Sequence, residues 1–319
     1  MPPKGKPFLT YEQQINKLKN EKSLKVSNQD DTISILKRTS YFALICGYKQ
    51  LFKDKSTNKY KMGTSFYDIV DLYKFDQNVR LLFFSNILKI ERHIKSIISY
   101  YFTEQFGDTQ DKYLDENNYD NLSYNKSQVQ TFIQQLNVTL NPPYGRPSEY
   151  EYINHHKKEY RNVPLWVIIN ALTFGNISKM YSFSKQSLKI KISKEFYGVN
   201  EKTLGDMLNI LSKYRNVCAH NERLFNYKTR KSLPDLNLHK ELKIDKIGTL
   251  YKFGKTYLFS VAICFRYLLS HEDFRMFYHD LKKQIKIYSR KLKVLNLNDI
   301  LNEMGFPLTW NKIEKAHLY

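Results

Sequence analysis

A ladder of apolar residues in the first third of the chain constrains the fold more than any other feature. Its members are Phe83, Ile87, Ile90, Ile94, Ile97 and Tyr101, spaced alternately by four and three residues. Because an α-helix turns once in about 3.6 residues, this spacing places every member on one side of a helix. We therefore predict a helix over about residues 75–106, with that side buried against other helices.

Helix-period patterns recur along the rest of the chain, and only 11 glycines and 9 prolines interrupt its 319 residues. The sequence therefore predicts an all-α fold. A helix over 201–214, capped by Asn200, should bury one face, and further helices are expected over 246–269 and 274–295. We divide the chain into an N-terminal helical segment packed on the core, the core with an irregular insertion, and a C-terminal tail. These parts cover residues 1–63, 64–295 with the insertion near 141–164, and 296–319.

Charge indicates the kind of partner. The chain has 51 lysines and arginines against 31 acidic residues, a formal net charge of +20. Such a surface attracts polyanions, and nucleic acid is the first of these to consider. A genome rich in A and T would also raise lysine, but it raises glutamate as well and so explains the imbalance less well.

Three cysteines, Cys46, Cys218 and Cys264, lie among apolar or helical neighbours and form no Cys-x-x-Cys pair. This pattern favours reduced thiols in a cytoplasmic protein over a disulfide framework or a zinc ribbon. The longest apolar run, 257–269, is interrupted by Arg266. The sequence thus predicts no membrane span.

Residues 213–223 contain the strongest candidate site. Arg215 and His220 lie five residues apart there. Histidine can take and give a proton near neutral pH, and the arginine guanidinium is a planar cation that fits phosphate oxygens. Both side chains are parts that RNA cleavage without a metal requires, so we take Arg215, His220 and the adjacent Asn216 as candidate catalytic residues.

A second Arg-x4-His match, Arg266 and His271, shows that the spacing alone is not specific. The first match is favoured because it is surrounded by polar residues, of which Asn221 and Arg223 are candidates for orienting or binding the substrate. Glu91 is a further candidate, since a carboxylate at the edge of the core can orient Arg215. A basic stretch supplies candidate RNA contacts, with a solvated outer helix face as the equally weighted alternative. These candidates are Lys282, Lys283, Lys286 and Arg290.

Several short blocks follow one another along about residues 6–270. They are Lys6-Pro7 with Leu9-Thr10-Tyr11; Tyr41, Leu44, Gly47 and Tyr48; Phe66 with Leu72, Tyr73, Phe75 and Asp76; Arg80 and Glu91-Arg92; Pro164-Leu165-Trp166 with Leu172-Thr173-Phe174-Gly175; and Arg215-Asn216-x-Cys218-Ala219-His220-Asn221-x-Arg223. In this order the blocks resemble the abortive-infection (Abi) proteins of the AbiD/AbiF type, a branch of the HEPN superfamily.

The resemblance implies a HEPN-like helical bundle that dimerises and cleaves RNA without a metal or other cofactor. It also implies a role in phage defence or toxin-like growth arrest, and some Abi proteins work with a non-coding RNA. From the residues we expect the 2′-hydroxyl to attack the adjacent phosphorus, with His220 moving protons and Arg215 stabilising charge. Since each chain supplies one such histidine, a two-fold dimer would supply both base and acid.

Two other functions stay open. In one, the protein is a non-catalytic RNA-binding or scaffold protein of a defence ribonucleoprotein, and residues 215–223 only hold helices together. In the other, the basic surface docks on a partner such as an acidic antitoxin. Two such sites that face each other across a cleft favour the nuclease, whereas a site buried within one subunit favours a structural role.

Overall fold

One long helix organises the fold. The computed structural model describes residues 5, 7–120, 122 and 125–318, so Lys6 of the first resembling block lies outside the described residues. The long helix, α3, runs from Phe66 to Phe106. The α-helices are α1 Tyr11–Asn16, α2 Gln29–Thr39, α3 Phe66–Phe106, α4 Gln110–Leu114, α5 Lys126–Leu140, α6 Glu151–Tyr160, α7 Leu165–Ile168, α8 Phe174–Phe183, α9 Gln186–Ser193, α10 Glu201–Ala219, α11 Asn237–Glu241, α12 Leu258–Leu268, α13 His271–Ser289 and α14 Leu297–Glu303.

Helix α3 confirms the predicted ladder but begins nine residues earlier than expected. Ser65 and Asp68 form a capping box: the Asp68 amide donates to the Ser65 hydroxyl, and the Ser65 amide donates to the Asp68 carboxylate at 2.7 Å. This pair satisfies amides that the first helical turn leaves unpaired. The ladder is buried from Phe83 to Ile94, after which burial passes from Ile97 to its neighbour Ile98.

Helix α10 lies across α3 and also contacts α8 and α12. It begins at Asn200, whose side chain accepts from the Thr203 amide at 2.8 Å, as predicted. Its buried face contains Leu204, Leu208, Leu211 and Tyr214, each fully buried. The Tyr214 hydroxyl lies 3.0 Å from the carbonyls of both Tyr227 and Thr256, so α10 is fastened to the chain that follows it.

Most of the described part of the chain is helical, which confirms the all-α prediction, but the single long helix expected over 246–269 is wrong. Strands β1, Lys246–Ile247, and β2, Leu250–Tyr251, form a short antiparallel hairpin there, and α12 begins only at Leu258. Gly254 has a φ of +76°, and a Cβ on it would lie 2.6 Å from Ile263 Cδ1. A glycine with this backbone conformation and this close packing ends the helix pattern.

The two ends of the chain pack on the same core. Buried residues of the N-terminal segment, such as Leu36 and Phe52, and of the C-terminal segment, such as Ile300 and Trp310, belong to one continuous apolar cluster. Within 141–164, where we expected irregular structure, residues 151–160 form helix α6. Among the described residues, no helix has both the length and the apolarity to cross a bilayer.

Candidate functional site

Arg215 lies just before the last turn of α10, on the side that faces α3. Its Nε is 3.5 Å from Oε2 of Glu91, and its guanidinium lies over the Phe84 ring at 5.9 Å. Glu91 is also paired with Lys95 at 3.1 Å. The Arg215 side chain keeps 28% of its surface exposed. The geometry thus places Glu91 where it can orient Arg215, while more than a quarter of the arginine side chain stays exposed.

His220 directly follows the last residue of α10, and its side chain is exposed. Its amide donates to the Asn216 carbonyl at 2.9 Å, so the helix continues past Asn216 without a bend. Side chains five residues apart on a helix point about 140° from each other. Arg215 and His220 therefore share one helix end but face different directions, and no hydrogen bond joins their side chains among the described residues.

Asn221 terminates the helix. Its φ is +57°, in the left-handed region. The Glu222 amide donates to the Val217 carbonyl at 3.0 Å, and the Asn221 amide donates to the Cys218 carbonyl at 3.2 Å. This pair of bonds is the Schellman arrangement, in which asparagine is the usual substitute for glycine. The left-handed backbone at position 221 thus favours asparagine there, which gives Asn221 a structural role.

Arg80 of α3 holds the chain immediately after His220. One guanidinium nitrogen donates to the Glu222 carbonyl at 2.7 Å, and the other donates to the Asn221 side chain. The same guanidinium pairs with Asp76 one turn earlier, at 3.3 Å. Arg80 is 3% exposed and Asp76 is fully buried. The position of the Asn221 turn is therefore set by a buried ion pair on α3.

Asp76 accepts two further hydrogen bonds. The Tyr48 hydroxyl donates to it at 2.6 Å and the Leu224 amide at 3.1 Å. Burial raises the pKa of the Asp76 carboxyl, although these hydrogen bonds and Arg80 oppose the change. From the sequence, Asp76 and Arg80 were recognised only as carriers of the family resemblance and were not predicted to be site residues. The available signal was a charged pair, four residues apart, on the apolar side of a long helix.

Three other residues of the 213–223 stretch have distinct surroundings. Arg223 is exposed, and its guanidinium donates to the Gly47 carbonyl and lies over Phe225. Asn216 is exposed beside His220. Burial raises the pKa of the Cys218 thiol to about 12. Cys218 is thus protonated at neutral pH and is unsuited to act as a nucleophile.

The second Arg-x4-His match has a structural explanation. Arg266 donates to the carbonyls of Ile313 and Ala316, at 3.3 and 3.1 Å, and so fastens the C-terminal segment. His271 is the exposed first residue of α13. The Arg266 guanidinium is therefore engaged by backbone, unlike that of Arg215.

Helix α13 separates its apolar and basic residues. Phe277, Leu281, Ile285 and Tyr288 are buried. The candidate RNA contacts Lys282, Lys283, Lys286 and Arg290 are all exposed on the outer side. These cations are available to a polyanion. The same exposure is expected of a solvated outer helix face that contacts no RNA.

Comparison with known proteins places the site within one family. The sequence model described as Abi-like protein matches residues 34–226, which is more than half of the chain. The matched range contains Asp76, Arg80, Glu91 and residues 215–223. No curated protein and no solved structure matches the chain significantly.

Proposed function

Because the chain belongs to the Abi-like protein family, we propose that it is a metal-independent endoribonuclease of the HEPN type. We propose that it acts in phage defence or toxin-like growth arrest. The observation that carries the proposal is the accessibility of Arg215 and His220 at one end of α10. Catalysis on RNA requires that both side chains be reachable by the substrate, which their exposure allows.

The proposed reaction is transphosphorylation within the RNA. A base takes the proton of the 2′-hydroxyl, whose oxygen forms a bond to phosphorus while the bond to the 5′-oxygen breaks and an acid protonates that oxygen. The products are a 2′,3′-cyclic phosphate and a 5′-hydroxyl. His220 would serve as base or acid, and Arg215, oriented by Glu91, would stabilise the charge on the phosphoryl oxygens. Asn216 lies beside His220 and would orient its ring.

A dimer completes this scheme, because one chain offers one histidine at the candidate site and directs Arg215 elsewhere. We propose that two copies associate through the surface of α3 next to the site. Leu81 is 64% exposed there, one turn before Phe84, the residue that contacts Arg215. An exposed leucine beside a half-buried phenylalanine gives a small apolar contact for a two-fold interface.

The Leu81→Glu variant should shift the protein from dimer to monomer and lower RNA cleavage in the same proportion. A buried carboxylate in each subunit would cost more than the contact contributes. Light scattering coupled to gel filtration measures the mass. Leu308→Glu places the same charge at a leucine that is 80% exposed on the C-terminal segment and should leave the dimer intact. A monomeric wild type, or a dimeric Leu81→Glu protein, contradicts the proposed interface.

The proposed activity has a direct test. Purified protein incubated with mixed RNAs and excess EDTA should cleave them, because proton transfer and charge stabilisation come from side chains. Mass spectrometry of the fragments should find 2′,3′-cyclic phosphates and 5′-hydroxyls. DNA of matching sequence should stay intact, since it lacks the attacking hydroxyl. Cleavage that EDTA abolishes and Mg²⁺ restores would refute the metal-independent scheme.

The main alternative is a non-catalytic RNA-binding protein. One observation favours it: Asn221 and Arg223 are both engaged in structural hydrogen bonds, to Arg80 and Gly47. Under this alternative the protein binds RNA but leaves it intact under all conditions. The EDTA experiment therefore separates the two functions when RNA binding is measured in the same samples.

A further inference from the structure

A cleft of about 730 Å³ opens beside Arg223. Its walls come from three separate parts of the chain, residues 47–61, 223–226 and 295–303. We call it the Arg223 cleft. Its volume falls within the range of about 300–1,000 Å³ that is usual for small-molecule sites.

The Arg223 cleft is rigidly connected to the catalytic candidates. Arg223 and Phe225 line it and follow His220 by only three and five residues. The intervening chain is held by Arg80 at Glu222 and by Asp76 at the Leu224 amide. The cleft wall and the end of α10 are thus fastened to the same turn of α3.

One wall of the cleft is basic. It is formed by Lys53, Lys55, Lys61 and Arg223. Lys53 is half-buried, and its ammonium donates to the Asn58 side chain. Burial lowers the pKa of Lys53, and the charges of Lys49 and Lys22 lower it further. A cation that neighbouring cations destabilise is stabilised when an anion binds beside it.

The opposite wall presents acceptors. Asp299, Asn302 and Glu303 lie along α14 and line the cleft. A third carboxylate, Asp54, is engaged by its own loop, accepting from the amides of Ser56 and Thr57 at 2.8 and 3.1 Å. Carboxylate and amide oxygens accept hydrogen bonds from the amino groups of bases, whereas ammonium groups bind phosphates. A nucleotide carries both kinds of group, and a bare phosphate carries only one.

We propose that the Arg223 cleft binds a nucleotide of single-stranded RNA adjacent to the phosphate that is cleaved. The proposal rests on the endoribonuclease function and specifies where the substrate strand lies. Phosphate oxygens contact Lys53, Lys61 and Arg223, and the base faces α14. Single-stranded RNA fits better than a duplex, because only an unpaired base exposes its amino groups to a cleft wall.

The basic side of α13 extends this path. Leu295 lines the cleft and follows Arg290, the residue at the end of α13, by five positions. An RNA strand leaving the cleft past Leu295 would meet the exposed residues Arg290 and Lys286. The RNA would then run from the α13 surface, through the cleft, to His220.

Binding is measured with full-length protein carrying His220→Ala, so that the RNA stays intact. The probe is a fluorescein-labelled single-stranded RNA of mixed sequence, about 12 nucleotides long. Adding Lys53→Gln and Lys61→Gln should weaken binding about tenfold and reduce the salt dependence by about 1.4 in log–log slope, the effect of two lost phosphate contacts. Adding Asn302→Trp instead, which fills the cleft without changing its charge, should also weaken binding.

The matched control is Lys158→Gln with Lys312→Gln, which removes the same charge from exposed positions away from the cleft. The cleft proposal is overturned if the control and the cleft variants lose RNA affinity equally. It is also overturned if the cleft variants bind the RNA as tightly as the parent does. A parent protein that does not bind the RNA overturns it too. The proposed function fails separately, if protein with intact His220 binds RNA but does not cleave it.

Discussion

Replacing His220 with alanine should lower the rate of RNA cleavage by about 10³-fold, within the range that general acid–base catalysis contributes. His220 is exposed at the end of α10, so its removal should leave folding unchanged. Replacing Arg215 should cost about 10²–10³-fold through lost charge stabilisation. Arg215→Lys should recover only part of this loss, because an ammonium lacks the planar fork. Initial cleavage rates of a labelled RNA measure all of these changes.

The second Arg-x4-His match supplies the control. His271→Ala should cleave RNA at the wild-type rate, since His271 lies at the start of α13 and not at the end of α10, where the proposed catalytic residues lie. Arg266→Ala should also retain the activity of its folded fraction but lose thermal stability, because Arg266 binds the carbonyls of Ile313 and Ala316. Wild-type cleavage by both the Arg215 and the His220 variants would show that the activity arises elsewhere.

Replacing Asp76 with alanine should destabilise the protein by about 3–5 kcal/mol, the usual effect of removing one partner of a buried ion pair. The substitution leaves the Arg80 guanidinium without its carboxylate and the Tyr48 hydroxyl and Leu224 amide without an acceptor. Tyr48→Phe, which removes one of these hydrogen bonds, should cost only about 1 kcal/mol. Urea unfolding followed by circular dichroism measures both free energies.

The paired variant and pH give independent checks of this ion pair. The Asp76→Ala, Arg80→Ala protein should lose less stability than the sum of the single variants, because neither charge is left alone. Burial raises the pKa of Asp76 and Arg80 opposes this change, so in Arg80→Ala the pKa of Asp76 should rise further above its value in the unfolded chain. Because the folded Arg80→Ala protein then binds this proton more tightly than the unfolded chain, its loss of stability relative to wild type should shrink as the pH falls and Asp76 becomes protonated. An Asp76→Ala protein as stable as Tyr48→Phe would contradict the assigned role.

The sequence predicted secondary structure correctly where a local pattern of residues allows only one conformation. The Phe83 ladder predicts a buried helix face because only that conformation aligns its residues, and Asn200 predicts the start of α10 because its side chain caps the Thr203 amide. The candidate site was chosen from the chemistry of Arg215 and His220, and its catalytic role stays a prediction. The exposure of His220 and the position of Glu91 depend on how α10 packs on α3, which the sequence does not give.

Features that depend on distant parts of the chain escaped prediction. The link from Arg80 to Asn221 spans 141 positions, and no local pattern indicates which turn a buried guanidinium will reach. The Arg223 cleft joins three segments that are far apart in the sequence. The hairpin at 246–251 was mistaken for helix because apolar spacing there suits both structures, and Gly248, with a φ of +62° in the turn between the two strands, favours the hairpin.

The continuity of α3 limits how such a protein is switched. The helix is unbroken for 41 residues, a rod about 60 Å long, and Asp76, Arg80 and Glu91 all project from it. Because one rod bears the residues that contact Arg215 and the Asn221 turn, these two parts of the site should move together. We therefore expect restraint of the proposed nuclease to come from outside this rod, through separation of the proposed dimer or a molecule lying over His220. Such an inhibitor would act as a cover and leave the fold beneath it unchanged.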